Sequence, residues 1–211
     1  MKYRLLSFFD MRENNSKNIQ NSARKIIMII LFSISIYGNS WAQNVRERRN
    51  AIKITFLSWF TGTTKLSYER SYTPIQTGEL TVGVICAGYD KFKNHPKGFT
   101  IRYAHKFILK NNTNYALNGF YVKPEIVWSN FNYDKREEDL RDKANMAGLF
   151  ACTGYQWARK KFIVDGYIGI GGSIGREAET YYHHGFITWN YFNTYCKNVA
   201  MTFAIKLGYN F

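Results

Sequence analysis

From Asn50 onward, apolar and polar residues alternate with a period of two, and β-branched and aromatic side chains collect on one parity. The last segment is the cleanest case: Phe203, Ile205, Leu207, Tyr209 and Phe211 share one face, and Thr202, Ala204, Lys206, Gly208 and Asn210 share the other. The same alternation predicts strands over Ala51 to Leu57, Thr64 to Tyr72, Gly98 to Leu109, Gly119 to Phe131 and Phe162 to Ile170. Glu79 to Tyr89 and Ala144 to Trp157 repeat it less regularly, because Ile85 and Phe150 fall on the opposite parity. Eight strands follow in sequence, with turn residues between them and no helical period. That order predicts an all-β fold, an eight-stranded antiparallel up-and-down β-barrel. At this size side chains fill the interior, so a wide pore is not expected.

Alternation alone does not say which face is wet, since a soluble barrel hides its apolar face and a membrane barrel displays it. Aromatic residues at strand ends, such as Tyr155, Trp157, Phe162, Tyr209 and Phe211, match the girdles of a membrane barrel. Connection lengths alternate as well. Thr73 to Gly78, Lys110 to Asn118 and Ala158 to Lys161 are short, whereas Asp90 to Lys97, Asn132 to Lys143 and Gly172 to Tyr195 include the long ones. Glu69, Arg102, Lys106, Lys123, Glu125 and Lys206 all lie on the polar parity. A one-residue slip would push them into hydrocarbon, at roughly 2–4 kcal/mol per basic residue near the midplane. Facing inward they must pair, and Glu69 and Glu125 against Arg102 and Lys123 are the expected lumen charge network.

Composition narrows the setting. The net charge of +14 is spread along the chain rather than massed in a patch, which argues against nucleic acid and for anionic lipopolysaccharide as counter-charge. Near the N-terminus, Arg24 and Lys25 precede an apolar run from Ile26 to Tyr37, followed by Gly38-Asn39-Ser40-Trp41-Ala42. About twelve apolar residues are too few for a helical span of about twenty, so the run reads as a signal peptide cleaved after Ala42. Residues 1–42 are then a signal peptide with an extended n-region, or one starting at Met11; 43–49 form a short linker and 50–211 the barrel.

Several short motifs carry a resemblance: Asn50-Ala51-Ile52-Lys53, Leu66-Ser67-Tyr68-Glu69-Arg70, Gly119-Phe120-Tyr121-Val122-Lys123-Pro124-Glu125, Gly154-Tyr155-Gln156-Trp157 and Gly208-Tyr209-Asn210-Phe211. From about Asn50 to the end, the chain resembles small outer-membrane β-barrels of the Bacteroidetes type, a family of unknown function with OmpA/OmpX-like architecture. The resemblance implies an eight-stranded barrel in the bacterial outer membrane, in contact with its lipid and lipopolysaccharide, and implies no activity. Lys206, Gly208, Tyr209 and Phe211 also resemble the terminal signal read by the barrel-assembly machinery.

Candidate chemistry is sparse. Small outer-membrane enzymes that act on lipid acyl groups need a serine, a histidine base and an acid near the outer rim. His183 and His184, with Ser173, Glu177 and Glu179, have the right position but no recognisable spacing, and solvated loop histidines are the simpler expectation. A metal held by His183, His184 and Glu179 is equally weakly marked. His105 lies toward the opposite end of its strand, and His95 stands in a loop. Gly169 to Gly175 lacks the spacing and following helix of a dinucleotide motif, and reads as glycines lining a narrow barrel. Tyr181, Tyr182, Phe186, Trp189, Tyr191, Phe192 and Tyr195 crowd the last long loop, segment 172–195, as either a binding surface or an extended hairpin. Cys86, Cys152 and Cys196 have neither metal nor disulfide spacing, and the first two read as small wall residues. The resulting expectation is a monomer without cofactor or catalytic residues, serving envelope structure. A surface-binding barrel and a lipid-modifying enzyme are the alternatives.

Overall fold

The computed structural model describes residues 48–86, 95–110, 117–134, 140–178, 181–188 and 199–211. The predicted signal segment and residues 43–47 lie outside them, as do Glu179, Cys196 and the loop aromatics Trp189, Tyr191, Phe192 and Tyr195. Among the described residues, β1 (Asn50–Thr55), β2 (Thr63–Thr73), β3 (Gln76–Ile85), β4 (Lys97–Lys110), β5 (Gly119–Asp134), β6 (Arg141–Arg159), β7 (Phe162–Arg176), β8 (Ile187–Thr188) and β9 (Val199–Asn210) form one sheet. All its pairings are antiparallel. Strands β1 to β7 and β9 pair in chain order, and β9 returns to β1, with Ala51 opposite Asn210 and Thr55 opposite Lys206. The result is the closed eight-stranded up-and-down barrel read from the alternation.

The two-residue β8 is an addition to the eight. It lies on β9, with Ile187 opposite Met201, along the edge that β1 leaves free when it ends at Thr55. There the chain turns through a 3-10 turn, Leu57–Thr61, which stops at Gly62 with φ of 73°. Glycine adopts this left-handed backbone without the Cβ penalty. Several strands run past their predicted ends: β3 starts at Gln76, β5 continues to Asp134, β6 spans Arg141–Arg159 and β7 continues to Arg176.

Parity decides burial along the wall. Ile126 and Leu149 are 56% and 63% exposed on the outside, while Lys53, Glu69 and Asp165 inside are 1%, 0% and 0% exposed. On β5 the outward positions run from Phe120 through Val122 and Ile126 to Trp128. Eight steps of about 3.4 Å, at the ~40° tilt usual for such barrels, project to about 20 Å along the axis, comparable to a membrane barrel's apolar band. Trp128 packs edge-on against Phe99, with ring centroids 5.2 Å apart, at the end of the long loops. Tyr209 and Phe211 stack at 6.4 Å at the end of the short turns. Aromatic pairs thus stand at both ends of a largely apolar band. Soluble monomers rarely expose a continuous apolar surface of this extent.

Candidate functional site

The interior holds two charge layers and a cap. Nearer the short turns, Lys53 Nζ lies 2.9 Å from Glu79 Oε2 and 2.8 Å from Asp165 Oδ2, and also pairs with Glu69. Lys106 meets the same three carboxylates, at 2.7 Å from Asp165, 3.0 Å from Glu79 and 3.3 Å from Glu69. Lys206 reaches across from β9 to Glu79. Gln156 accepts from both Lys53 and Lys106 through Oε1, at 2.9 and 2.8 Å, and donates through Nε2 to Glu69 at 3.1 Å. The Tyr121 hydroxyl donates to Asp165. Glu69, Glu79 and Asp165 cluster closely enough to hold a metal ion, but lysine ammonium groups already neutralise them.

Deeper toward the long loops, Arg102 Nη1 donates to Glu125 Oε1 at 2.7 Å, and Lys123 Nζ donates to the other Glu125 oxygen. Lys123 also sits 3.3 Å from the centre of the Tyr167 ring, where the ring face attracts a cation. Of the four residues expected to form the network, three meet here: Arg102, Lys123 and Glu125. Glu69 belongs to the other layer, with Lys53 and Lys106. The closed barrel brings Lys53 and Asp165 together across 112 residues of sequence, a neighbourhood that alternation within one strand does not reveal. The polar parity of Lys53, Lys106, Asp165 and Lys206 was the available signal.

The cap comes from the segment between β7 and β9. Residues 181–188 form a small hairpin closed by hydrogen bonds from His183 N–H to Phe186 carbonyl and from Thr188 N–H to Tyr181 carbonyl, both 2.9 Å. The hairpin is turned into the barrel mouth. Gly185 carbonyl accepts from Arg102 Nη2 and from Thr202 Oγ1. Phe186 is buried against Phe150, with ring centroids 5.4 Å apart. A Cβ on Gly185 would stand 3.0 Å from Val127 Cγ1, so the hairpin tip fits only with little bulk. The inward parity of Phe150 that blurred its strand pattern has this contact as its reason.

The expectation of solvated loop histidines is corrected here. His183 and His184 are 0% and 5% exposed, because the hairpin folds inward and carries them with it. His183 Nε2 bonds Thr188 Oγ1 at 3.1 Å, and His184 Nδ1 bonds Thr63 Oγ1 at 2.7 Å. Burial lowers both below the usual histidine range, His183 to about 4 and His184 to about 3, the latter aided by nearby Lys65. Both are neutral at pH 7. Ser173 is buried with no hydrogen-bond partner, so neither histidine holds it as a nucleophile. His105 faces outward, stacked 6.1 Å from Tyr72. His95 meets Asp134 at 3.1 Å on an exposed rim. Of the loop aromatics within the described residues, Tyr181 is exposed, whereas Phe186 belongs to the cap rather than to a binding surface. Cys152 faces the interior and Cys86 is exposed.

Around the terminal strand, Lys206 points into the lumen, while Tyr209 and Phe211 lie outside. Gly208 stands opposite Lys53, and a Cβ there would approach Lys53 Cγ to 2.6 Å and Ile52 carbonyl to 2.7 Å. This glycine makes room for the Lys53 stem. Gly169 lies on the lumen parity, where a Cβ would collide with Cys152 Sγ.

The chain matches no protein-family model and no curated protein. Among solved structures it is similar to the crystal structure of the N-terminal β-barrel domain of Pseudomonas aeruginosa OprF, at 14% identity and a TM-score of 0.47, over 78% of this chain and 98% of that domain.

Proposed function

We propose that the chain is an exported, monomeric protein of the bacterial outer membrane, a non-enzymatic barrel that serves envelope structure. The observation that carries this reading is the union of a continuous apolar exterior with a lumen closed by paired charges. Such a body favours bilayer over water and offers no open channel. In the same reading, residues 1–42 direct export and are cleaved after Ala42. Lys206, Gly208, Tyr209 and Phe211 present the closing strand to the barrel-assembly machinery, and lipopolysaccharide meets the basic surplus outside. The resemblance to small Bacteroidetes-type barrels belongs with this reading.

A deletion strain complemented with the full chain, or with a chain lacking Glu177 to Asn193, tests the role. An envelope function predicts increased detergent sensitivity on deletion. The full chain restores resistance, lipid acyl composition stays unchanged, and most of the rescue survives removal of the loop. Loss of ligand capture on loop deletion would instead make the protein a surface-binding module. Altered lipid A or phospholipid acylation restored by the full chain but not by His183→Ala or Ser173→Ala would make it an enzyme.

A further inference from the structure

Among the described residues the barrel wall has a lateral gap. β1 pairs with β2 only up to Ile54 opposite Leu66, and with β9 only up to Thr55 opposite Lys206. The last bond on this seam is from Phe56 N–H to Ile205 carbonyl, at 3.1 Å. Pairing on that edge of β9 resumes only at Met201, with β8. Between these points the 3-10 turn swings the chain aside, and a cavity of about 180 Å³ opens through the wall.

Its two ends differ in chemistry. Leu57, Ile187, Met201 and Phe203 line the outer part, with Leu57 and Phe203 exposed on the apolar exterior. Thr55 and Lys65 line the inner part, 6% and 7% exposed. Thr55 Oγ1 is buried with no hydrogen-bond partner. Lys65 makes no ion pair among the described residues, although every other lysine buried in the lumen reaches a carboxylate. Six basic side chains are buried among the described residues against four acidic ones, Glu69, Glu79, Glu125 and Asp165. Cations thus exceed anions by two there, and Lys65 is the one of the six with no carboxylate against it. The Lys65 side chain thus lines, with no carboxylate against it, a cavity whose mouth is apolar and opens on the belt.

We propose that this opening binds a single-chain fatty acid from the membrane, its carboxylate on Lys65 Nζ and its chain leaving between Leu57 and Phe203. The inference rests on the membrane reading of the apolar belt. A carboxylate is the smallest acidic group an acyl chain carries. A glycerophospholipid would have to bring its glycerol and second chain through the same gap. The acid and the Lys65 amine pair as carboxylate and ammonium, the proton passing from one to the other, so the fit depends on an ionisable head.

The test uses the mature protein folded into phosphatidylcholine vesicles, with a spin-labelled stearic acid as probe and immobilised signal as readout. A heat-shifted gel band in the same sample reports the barrel itself. The expected result is one saturable site per protein. Palmitate displaces the probe, and methyl palmitate and phosphatidylglycerol do so at least tenfold more weakly. Lys65→Met weakens the site at least tenfold while keeping the heat-shifted band, Lys65→Arg retains it, and Ala204→Trp, at the cavity wall, blocks it. Non-saturable immobilisation, equal displacement by the methyl ester or by phosphatidylglycerol, or unchanged binding in Lys65→Met with a folded band would overturn the proposal. Absence of a heat-shifted band would instead overturn the membrane reading on which it rests.

Discussion

Two lysines on neighbouring strands, Lys53 and Lys65, show how context sets the worth of a buried charge. Lys53 is held by Glu69, Glu79 and Asp165, so Lys53→Met leaves acidic groups underpaired in the interior. Removing one partner of a buried pair costs about 3–5 kcal/mol, and a lower urea midpoint of the folded barrel is the expected readout. Lys65 lacks a carboxylate, and Lys65→Met is expected to leave that midpoint unchanged or raise it. Equal losses in both variants would contradict the assignment of pairs. At the opposing position on β9, Gly208→Ala is expected to cost about 1–3 kcal/mol through overpacking against Lys53 and the Ile52 carbonyl. An Ala variant with wild-type stability would show that the Lys53 stem has slack. This packing role is separate from any part Gly208 has in assembly, and folding in vitro without the assembly machinery isolates it.

The cap hairpin is the element most sensitive to pH. Folding holds His183 at about 4 and His184 at about 3, against an unfolded value near 6.5, so the open form binds more protons between these limits. Stabilisation by the closed cap is complete above about pH 6.5 and is lost as pH falls, toward 4 for His183 and toward 3 for His184, by up to about 1.4 kcal/mol per pH unit for each histidine. Deuterium uptake over 181–188, corrected for intrinsic exchange, should rise from pH 7 to pH 4.5, and Arg102→Leu should raise it at both by removing the donor to Gly185. Uptake that ignores pH would contradict the neutral, buried histidines. The wall strands were legible because one-sided burial writes itself as alternation: Phe203 to Phe211 and Phe120 to Trp128 could be assigned face by face. The hairpin was not, because Phe186 is fixed by Phe150 from another strand. Local sequence around His183 therefore read as an ordinary loop. The 3-10 turn was hidden for a related reason, since Leu57 continues the apolar run of β1 while Gly62 alone marks the break. Gln76, Thr77 and Gly78 offer no apolar contrast, which left the start of β3 unmarked.

At the scale of the whole molecule, an apolar exterior encloses a charge-filled, capped interior. The two halves constrain one another, because each strand's parity assigns its outer and inner residues together. Soluble and membrane barrels make opposite assignments, and here Ile126 and Leu149 are outside while Glu69 and Asp165 are inside. A filled lumen also predicts that planar bilayers carrying the protein show no steady large-conductance pore. The most direct measurement is cell fractionation with gel mobility compared before and after boiling. The account predicts that the mature chain sediments with outer membranes and that the unboiled band migrates differently from the boiled one. A chain found in the soluble fraction, with identical mobility in both samples, would contradict it.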